Sequence, residues 1–174
     1  LTDPGPTLAK ANDEVHYCLY CADKQGDTCS RGIREPSTPV VQSAQSAQSA
    51  QMTTSMPPAP SMASIHPVQF RRSVHDTPLT GCPLDERISE FQWLKAQQQP
   101  LAALAVILIE NPMVAGTGHR ICNDCMKACV FQQQTPVDIP AAETRTLRDV
   151  LNLPWGVEIY GLLTRWNPLN FRQG

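Results

Sequence analysis

Seven cysteines, in two tight groups with one between them, set the limits on what this 174-residue chain can become. Cys18-Leu-Tyr-Cys21 is followed by Cys29 on the same polar stretch. Cys122-Asn-Asp-Cys125 repeats the spacing, and Cys129 follows four residues later. Cys82 stands alone, directly before Pro83. An odd number leaves one thiol over if all pair as disulfides. Leu1 to Tyr17 contain no apolar run of the kind a secretory signal needs, so a reducing, cytoplasmic setting is expected. There, clustered thiolates point to metal or redox chemistry rather than to covalent staples. A chain beginning at Leu1 instead of methionine reads as a piece of a longer protein.

Two chemistries fit the spacing. An iron–sulfur cubane takes four ligands, usually thiolates, and the two residues inside Cys-x-x-Cys let the backbone wrap one metal-bearing corner. In two-cluster bacterial ferredoxins the cysteine before a proline serves the cluster that its sequence neighbours do not, a role open to Cys82-Pro83. Zinc is the alternative. Two zinc ions take eight ligands, commonly Cys and His, and His16 or His119 could supply the eighth in a structural interaction module with no redox role. A domain that keeps its packing and binds no metal is a third reading.

The rest of the chain falls into four stretches. Residues 1–34 carry the first cysteine group. Residues 35–78 hold the repeat Gln42-Ser-Ala-Gln-Ser-Ala-Gln-Ser-Ala-Gln51 and the prolines Pro57, Pro58 and Pro60. That composition buries too little apolar area to offset the entropy of ordering, so a disordered insert is expected, with His66 and His75 solvated. Residues 79–152 form the expected helical core. Pro83 and Asp85 open a helix whose apolar face is Ile88, Phe91 and Leu94, with Lys95 and Gln98 opposite. Pro100 starts a second, from Leu101 to Ile109 apolar on most sides and therefore buried, until Asn111-Pro112 ends it. Gly116 and Gly118 turn the chain into Cys122. A helix from Pro140 or Ala141 to Leu151 places Leu147, Val150 and Leu151 inward. Residues 153–174 contain a further helix, Val157 to Trp166, with Ile159, Leu162, Leu163 and Trp166 on one side. Trp155, Trp166 and Phe171 pack on the core or face a following domain. No alternating strand pattern appears, so the fold class is mostly α. The net charge of -2 supplies no basic surface for nucleic acid. The longest apolar run, Leu101 to Ile109, is far short of the roughly 20 residues of a membrane span.

Several of these residues together resemble a known family. Cys18-Leu-Tyr-Cys21, Gly81-Cys-Pro-Leu84, Asn111-Pro112, Thr117-Gly-His-Arg-Ile-Cys122, Cys129 and Pro136-Val-Asp-Ile139 with Glu143 are similar to the N-terminal iron–sulfur domain of the glutamate synthase small subunit and of dihydropyrimidine dehydrogenase. The ending, Leu153-Pro-Trp-Gly to Trp166-Asn-Pro-Leu, looks like a subgroup of large fused flavin and pyridine-nucleotide oxidoreductases.

The resemblance implies an α-helical ferredoxin fold with two [4Fe-4S] clusters and a specific ligand set. Cys18, Cys21, Cys29 and Cys129 hold one cluster. Cys82, Cys122, Cys125 and the carboxylate of Glu143 hold the other, with Gln132, Gln133 and Gln134 as fallback donors. Without the resemblance, Glu143 is a charge on the first turn of a helix. It also implies that electrons pass between these clusters, a flavin in a downstream domain, and possibly another redox subunit. FAD and NAD(P) belong to the downstream domains. No Gly-x-Gly-x-x-Gly fingerprint is present, so this stretch is not expected to be catalytic alone. Arg120 holds a cluster, faces the flavin, or is a surface charge. The chain departs from the family in seven residues between Cys21 and Cys29, a much longer gap from Cys29 to Cys82, and a compressed segment from Cys122 to Cys129.

Overall fold

A computed structural model of the chain describes residues 4–21, 26–36, 69–118 and 121–165. The Gln-Ser-Ala repeat, the Pro57–Pro60 tract, His66, His119, Arg120, Trp166 and Phe171 lie outside the described residues.

The described chain is mostly α, as expected. In order, the helices are α1 Leu8–Tyr17, α2 Thr28–Arg31, α3 Ile88–Ala96, α4 Pro100–Glu110, α5 Val114–Thr117, α6 Asp124–Lys127, α7 Ile139–Leu151 and α8 Gly156–Arg165. No helix among the described residues is long and apolar enough to cross a membrane.

α3 and α4 form a hairpin, and α4 packs along α7. α1 lies across α3 and α7, and α8 doubles back onto α7 and α4. Val15, Ile88, Phe91, Leu104, Ile107, Leu108 and Val150 fill the centre and are almost wholly buried. α4 is central because it is apolar nearly all round, so it has no face to give to water. It starts with Pro100 in its first turn and ends at Asn111, before Pro112. α7 is capped by Asp138, whose side chain accepts from the Ala141 N–H at 3.2 Å. Lys10 and Glu14 of α1 bind the same residue, Lys10 Nζ to Asp138 Oδ2 and the Asp138 N–H to Glu14 Oε2, each at 2.8 Å. The start of α7 is thereby fixed against α1.

Several details differ from the sequence-based expectation. α3 begins at Ile88, not at Pro83 or Asp85. Asp85 takes a left-handed conformation, φ +54°, which a helix cannot contain. Lys95 points inward, 4 % exposed, and donates to Asp149 Oδ2 at 2.6 Å. Arg145 Nε reaches the other oxygen of Asp149, also at 2.6 Å. Leu151 and Leu162 are exposed, so neither packs on the core, and Trp155, 75 % exposed, does not take the first of its two expected places. Residues 69–78, expected within the disordered stretch, pair their backbone instead. Arg71 N–H donates to the Ile33 carbonyl and Glu35 N–H to that of Gln69, making an antiparallel bridge at Arg34–Phe70, while Leu79 N–H to the Arg71 carbonyl and Ser73 N–H to that of Thr77 make another at Arg72–Pro78. Gln92 is fully buried with neither amide atom hydrogen bonded, and nothing in the structure explains it.

Candidate metal centre

All seven cysteines are free thiols. The fold sorts them into two groups, and the sorting does not follow sequence order.

The first group gathers at the end of α1. Cys18 is its C-cap, with its N–H on the Glu14 carbonyl. The next residues turn back because Tyr20 is left-handed, φ +50°, and its hydroxyl donates to the Val15 carbonyl at 2.6 Å. Cys29 comes from α2, and Cys129 from the turn after α6, which packs on α2. Cys18, Cys21, Cys29 and Cys129 line one cavity, walled by Leu19, Val130, Phe131, Val137 and Ile139 and by Thr28 and Ser89. Phe131 is stacked on Tyr17 at 4.7 Å between centroids. The free volume at the centre is about 10 Å³, room for about one water.

The electrostatics report the same neighbourhood. Burial pushes the Cys18 thiol up to about 11, the Tyr20 N–H on its sulfur pulls the other way, and Cys21 and Cys129 add to the rise. Burial raises Cys29 further, followed by Asp27, to which its thiol donates at 3.0 Å, and by Cys18 and Cys129. Raised this way, the Cys18 and Cys29 thiols keep their protons near pH 7, and a metal must displace them to bind.

The second group is Cys82, Cys125, Cys122 and Glu143. Burial is the main cause that raises Cys125, with Cys82, Cys122 and Glu143 adding to it. Cys82 is pushed up to about 11 by burial, with Glu86 and Glu143 adding and the Glu86 and Leu84 N–H groups on its sulfur opposing. Cys122 is exposed, Cys82 half-buried and Cys125 buried. Glu143, on α7, is 7 % exposed and accepts from Asn111 Nδ2 at 2.8 Å. Burial lifts its carboxyl to about 8, Glu86 adds, and Asn111 opposes. Glu86 is lifted to about 7 by burial, with Asn111 opposing and Glu110 adding. A first-turn helix charge in water has no such surroundings. The importance of Glu86 and Asn111 escaped the sequence reading. The one available signal was Asn111-Pro112, read as a helix stop and as part of the family resemblance, with no role at the site.

The two groups touch through the backbone. The Cys82 N–H donates to the Cys29 carbonyl at 2.8 Å. Gly81 permits this approach, since at φ +76° a Cβ would sit 2.4 Å from Gly32 N and 2.8 Å from the Ser30 carbonyl oxygen. Gly118, φ +46°, similarly lies against Thr144 Oγ1, which brings the chain before Cys122 beside α7.

Other candidates lie elsewhere. His16, His75, Gln133 and Gln134 are exposed and Gln132 half-buried. Among the described residues no three His, Cys, Asp or Glu side chains converge as on a single metal ion. A wider cleft of about 700 Å³ touches no cysteine; Asp27, Arg31, Arg34, Asp85, Arg87 and Glu90 place both signs of charge side by side along it.

Comparison with known proteins yields two partial relatives, both from Rickettsia prowazekii (strain Madrid E). One uncharacterized protein is 67 % identical over 58 residues, 33 % of this chain and 8 % of that protein. A second uncharacterized protein is 28 % identical over 90 residues, 52 % of this chain and 23 % of that protein. The chain thus spans less than a quarter of the length of either relative. No family model matches, and no solved structure matches.

Proposed function

We propose that this domain is an α-helical ferredoxin-like electron carrier that holds two [4Fe-4S] clusters. Cys18, Cys21, Cys29 and Cys129 would hold one. Cys82, Cys122, Cys125 and Glu143 would hold the other. The observation that carries this reading is the parting of Cys129 from Cys122 and Cys125 to share a cavity with Cys18, Cys21 and Cys29. Two distant stretches, 18–29 and the turn at Cys129, meet to make a four-thiol set, and the remaining three thiols keep company with a buried carboxyl.

The donor chemistry fits. Four thiols round an apolar-walled cavity suit a cubane, and backbone N–H groups already point at the sulfurs of Cys18, Cys82 and Cys125. The central space of about 10 Å³ would have to widen to admit the group. Zinc takes the same thiolates, so metal analysis and not the donor set decides between the two.

When bound, such clusters accept and release single electrons. The protein's part is to hold and tune. Phe131, stacked on Tyr17, and the other apolar side chains wall the first site, and the Cys29–Cys82 backbone bond joins the two. Cys122, exposed, leaves the second site nearer the surface. The expected partner is a downstream flavin-binding domain of the same polypeptide carrying FAD and NAD(P), or another redox subunit. Trp155, Val157 and Leu162, all well exposed at the end of the described chain, offer such a partner apolar area. The setting is proposed to be cytoplasmic, where thiols stay reduced.

The test is the visible spectrum of the chain loaded anaerobically with iron and sulfide. Broad absorption that a reductant bleaches is expected. A folded chain that stays colourless and instead binds zinc overturns the proposal in favour of a zinc-stabilised structural module.

A further inference from the structure

We propose that the hydroxyls of Thr28 and Ser89 donate hydrogen bonds to sulfur of the group held by Cys18, Cys21, Cys29 and Cys129, and so set its reduction potential. The inference rests on the cluster reading above.

Buried hydroxyls in folded proteins find partners, and an exception asks for a reason. Among the described residues the buried hydroxyls without any hydrogen-bond partner are those of Thr28 and Ser89. Both residues line the cysteine cavity. They come from different elements, Thr28 opening α2 and Ser89 in the first turn of α3. Nearby hydroxyls show that the fold can satisfy such groups. Ser30, next to Cys29, donates to the Glu86 carbonyl and accepts from the Ile88 N–H. Thr146 donates to the Ala142 carbonyl. The orphaned pair therefore collects at one place, the place where four sulfurs meet.

The other walls of the cavity supply no side-chain acceptor. Leu19, Val130, Phe131, Val137 and Ile139 are apolar. Of the side chains that line the cavity with them, the cysteines offer the acceptor, a thiolate sulfur, beside any inorganic sulfide the group brings. Such a bond strengthens as negative charge on the acceptor grows. It stabilises the reduced state more than the oxidised one, so it raises the potential. Thr28 and Ser89 are positioning and tuning residues, not ligands.

The experiment is a redox titration, followed by electron paramagnetic resonance, of the full chain loaded anaerobically with iron and sulfide. Ser89→Ala and Thr28→Val are compared singly and together with the parent chain. Iron content is expected to stay at the parent level. One of the two potentials is expected to fall in each single variant and further in the double, while the other stays put. Ser89→Thr, which keeps the hydroxyl, is expected to hold the parent value. A Ser89→Ala chain that loses iron while Ser89→Thr keeps it supports the same bond by a different readout. A fully loaded double variant with both potentials unchanged overturns this inference and leaves the cluster reading standing. A folded parent chain that takes up no iron overturns the cluster reading itself.

Discussion

Cys129 lies four residues from Cys125 in the chain but shares its cavity with Cys18, Cys21 and Cys29. The short helix α6 stops at Lys127, and the turn that follows sends the two thiols to different neighbours. A single cysteine substitution therefore reports on a single site. Cys129→Ser is expected to remove about four irons per chain and leave about four, as one lost cubane requires. Cys122→Ser is expected to remove the other four, and Glu143→Ala to weaken that same site. Iron analysis of the three purified variants, with the resonance signal that survives in each, checks the assignment. A signal lost in both Cys129→Ser and Cys122→Ser would contradict it.

Glu86 and Glu143 make a second prediction at this scale, for the metal-free chain. Both carboxyls are raised, to about 7 and about 8, chiefly by burial. Between the ordinary carboxylate pKa of about 4.3 and these values, the folded state holds more protons than the unfolded one. Stability must then fall as pH rises through that window. Denaturant midpoints measured from pH 5 to pH 8 are expected to decline, and the decline is expected to shrink in Glu86→Gln. A midpoint that rises over the range would show that these groups are ionised in the folded chain.

At the scale of elements, α3 and α7 are joined by Lys95, Asp149 and Arg145. Lys95 is almost fully buried and Asp149 is 17 % exposed at its side chain. Removing one member of a buried pair strands the other charge, at a cost of about 3–5 kcal/mol. Asp149→Ala is expected to fall in that range by chemical denaturation. Lys95→Met, which leaves Asp149 its arginine, is expected to cost clearly less. Gly81→Ala is expected to destabilise more than an ordinary surface substitution and to lower iron at the site of Cys82, since no side chain fits between Gly81 and Gly32. A Gly81→Ala chain with parent iron content and stability would mean the segments do not meet there.

The elements also show what a sequence can and cannot convey. α4 and α7 were legible because a proline opens each and Asn111-Pro112 or Leu153-Pro154 stops it. The inward residues Leu147 and Val150 followed from helical spacing. Lys95 was misplaced because the spacing gives the face and not the partner, and Asp149 lies more than fifty residues on. The start of α3 was misplaced because Pro83 and Asp85 are good openers of a helix that the chain delays, turning first so that Cys82 and Glu86 face inward. The bridges at Phe70 and Arg72 had no signal, since they consist of backbone bonds between short polar runs. Of the candidate site, the cysteines announced themselves by spacing. Their grouping came only from the family resemblance, because the meeting of three distant segments is tertiary.

At the scale of the molecule, two thiol sets, the second open to solvent at Cys122, lie side by side in the helical body that the described residues form, with exposed apolar side chains on α8. The chain spans less than a quarter of the length of either relative found. The central claim is that the thiol sets hold two iron–sulfur clusters. Its most direct test is the iron, sulfide and zinc content of the full chain purified without air. About eight irons and about eight sulfides per chain, with no zinc, are predicted for two cubanes. Stoichiometric zinc without iron, or about four irons only, would contradict the account.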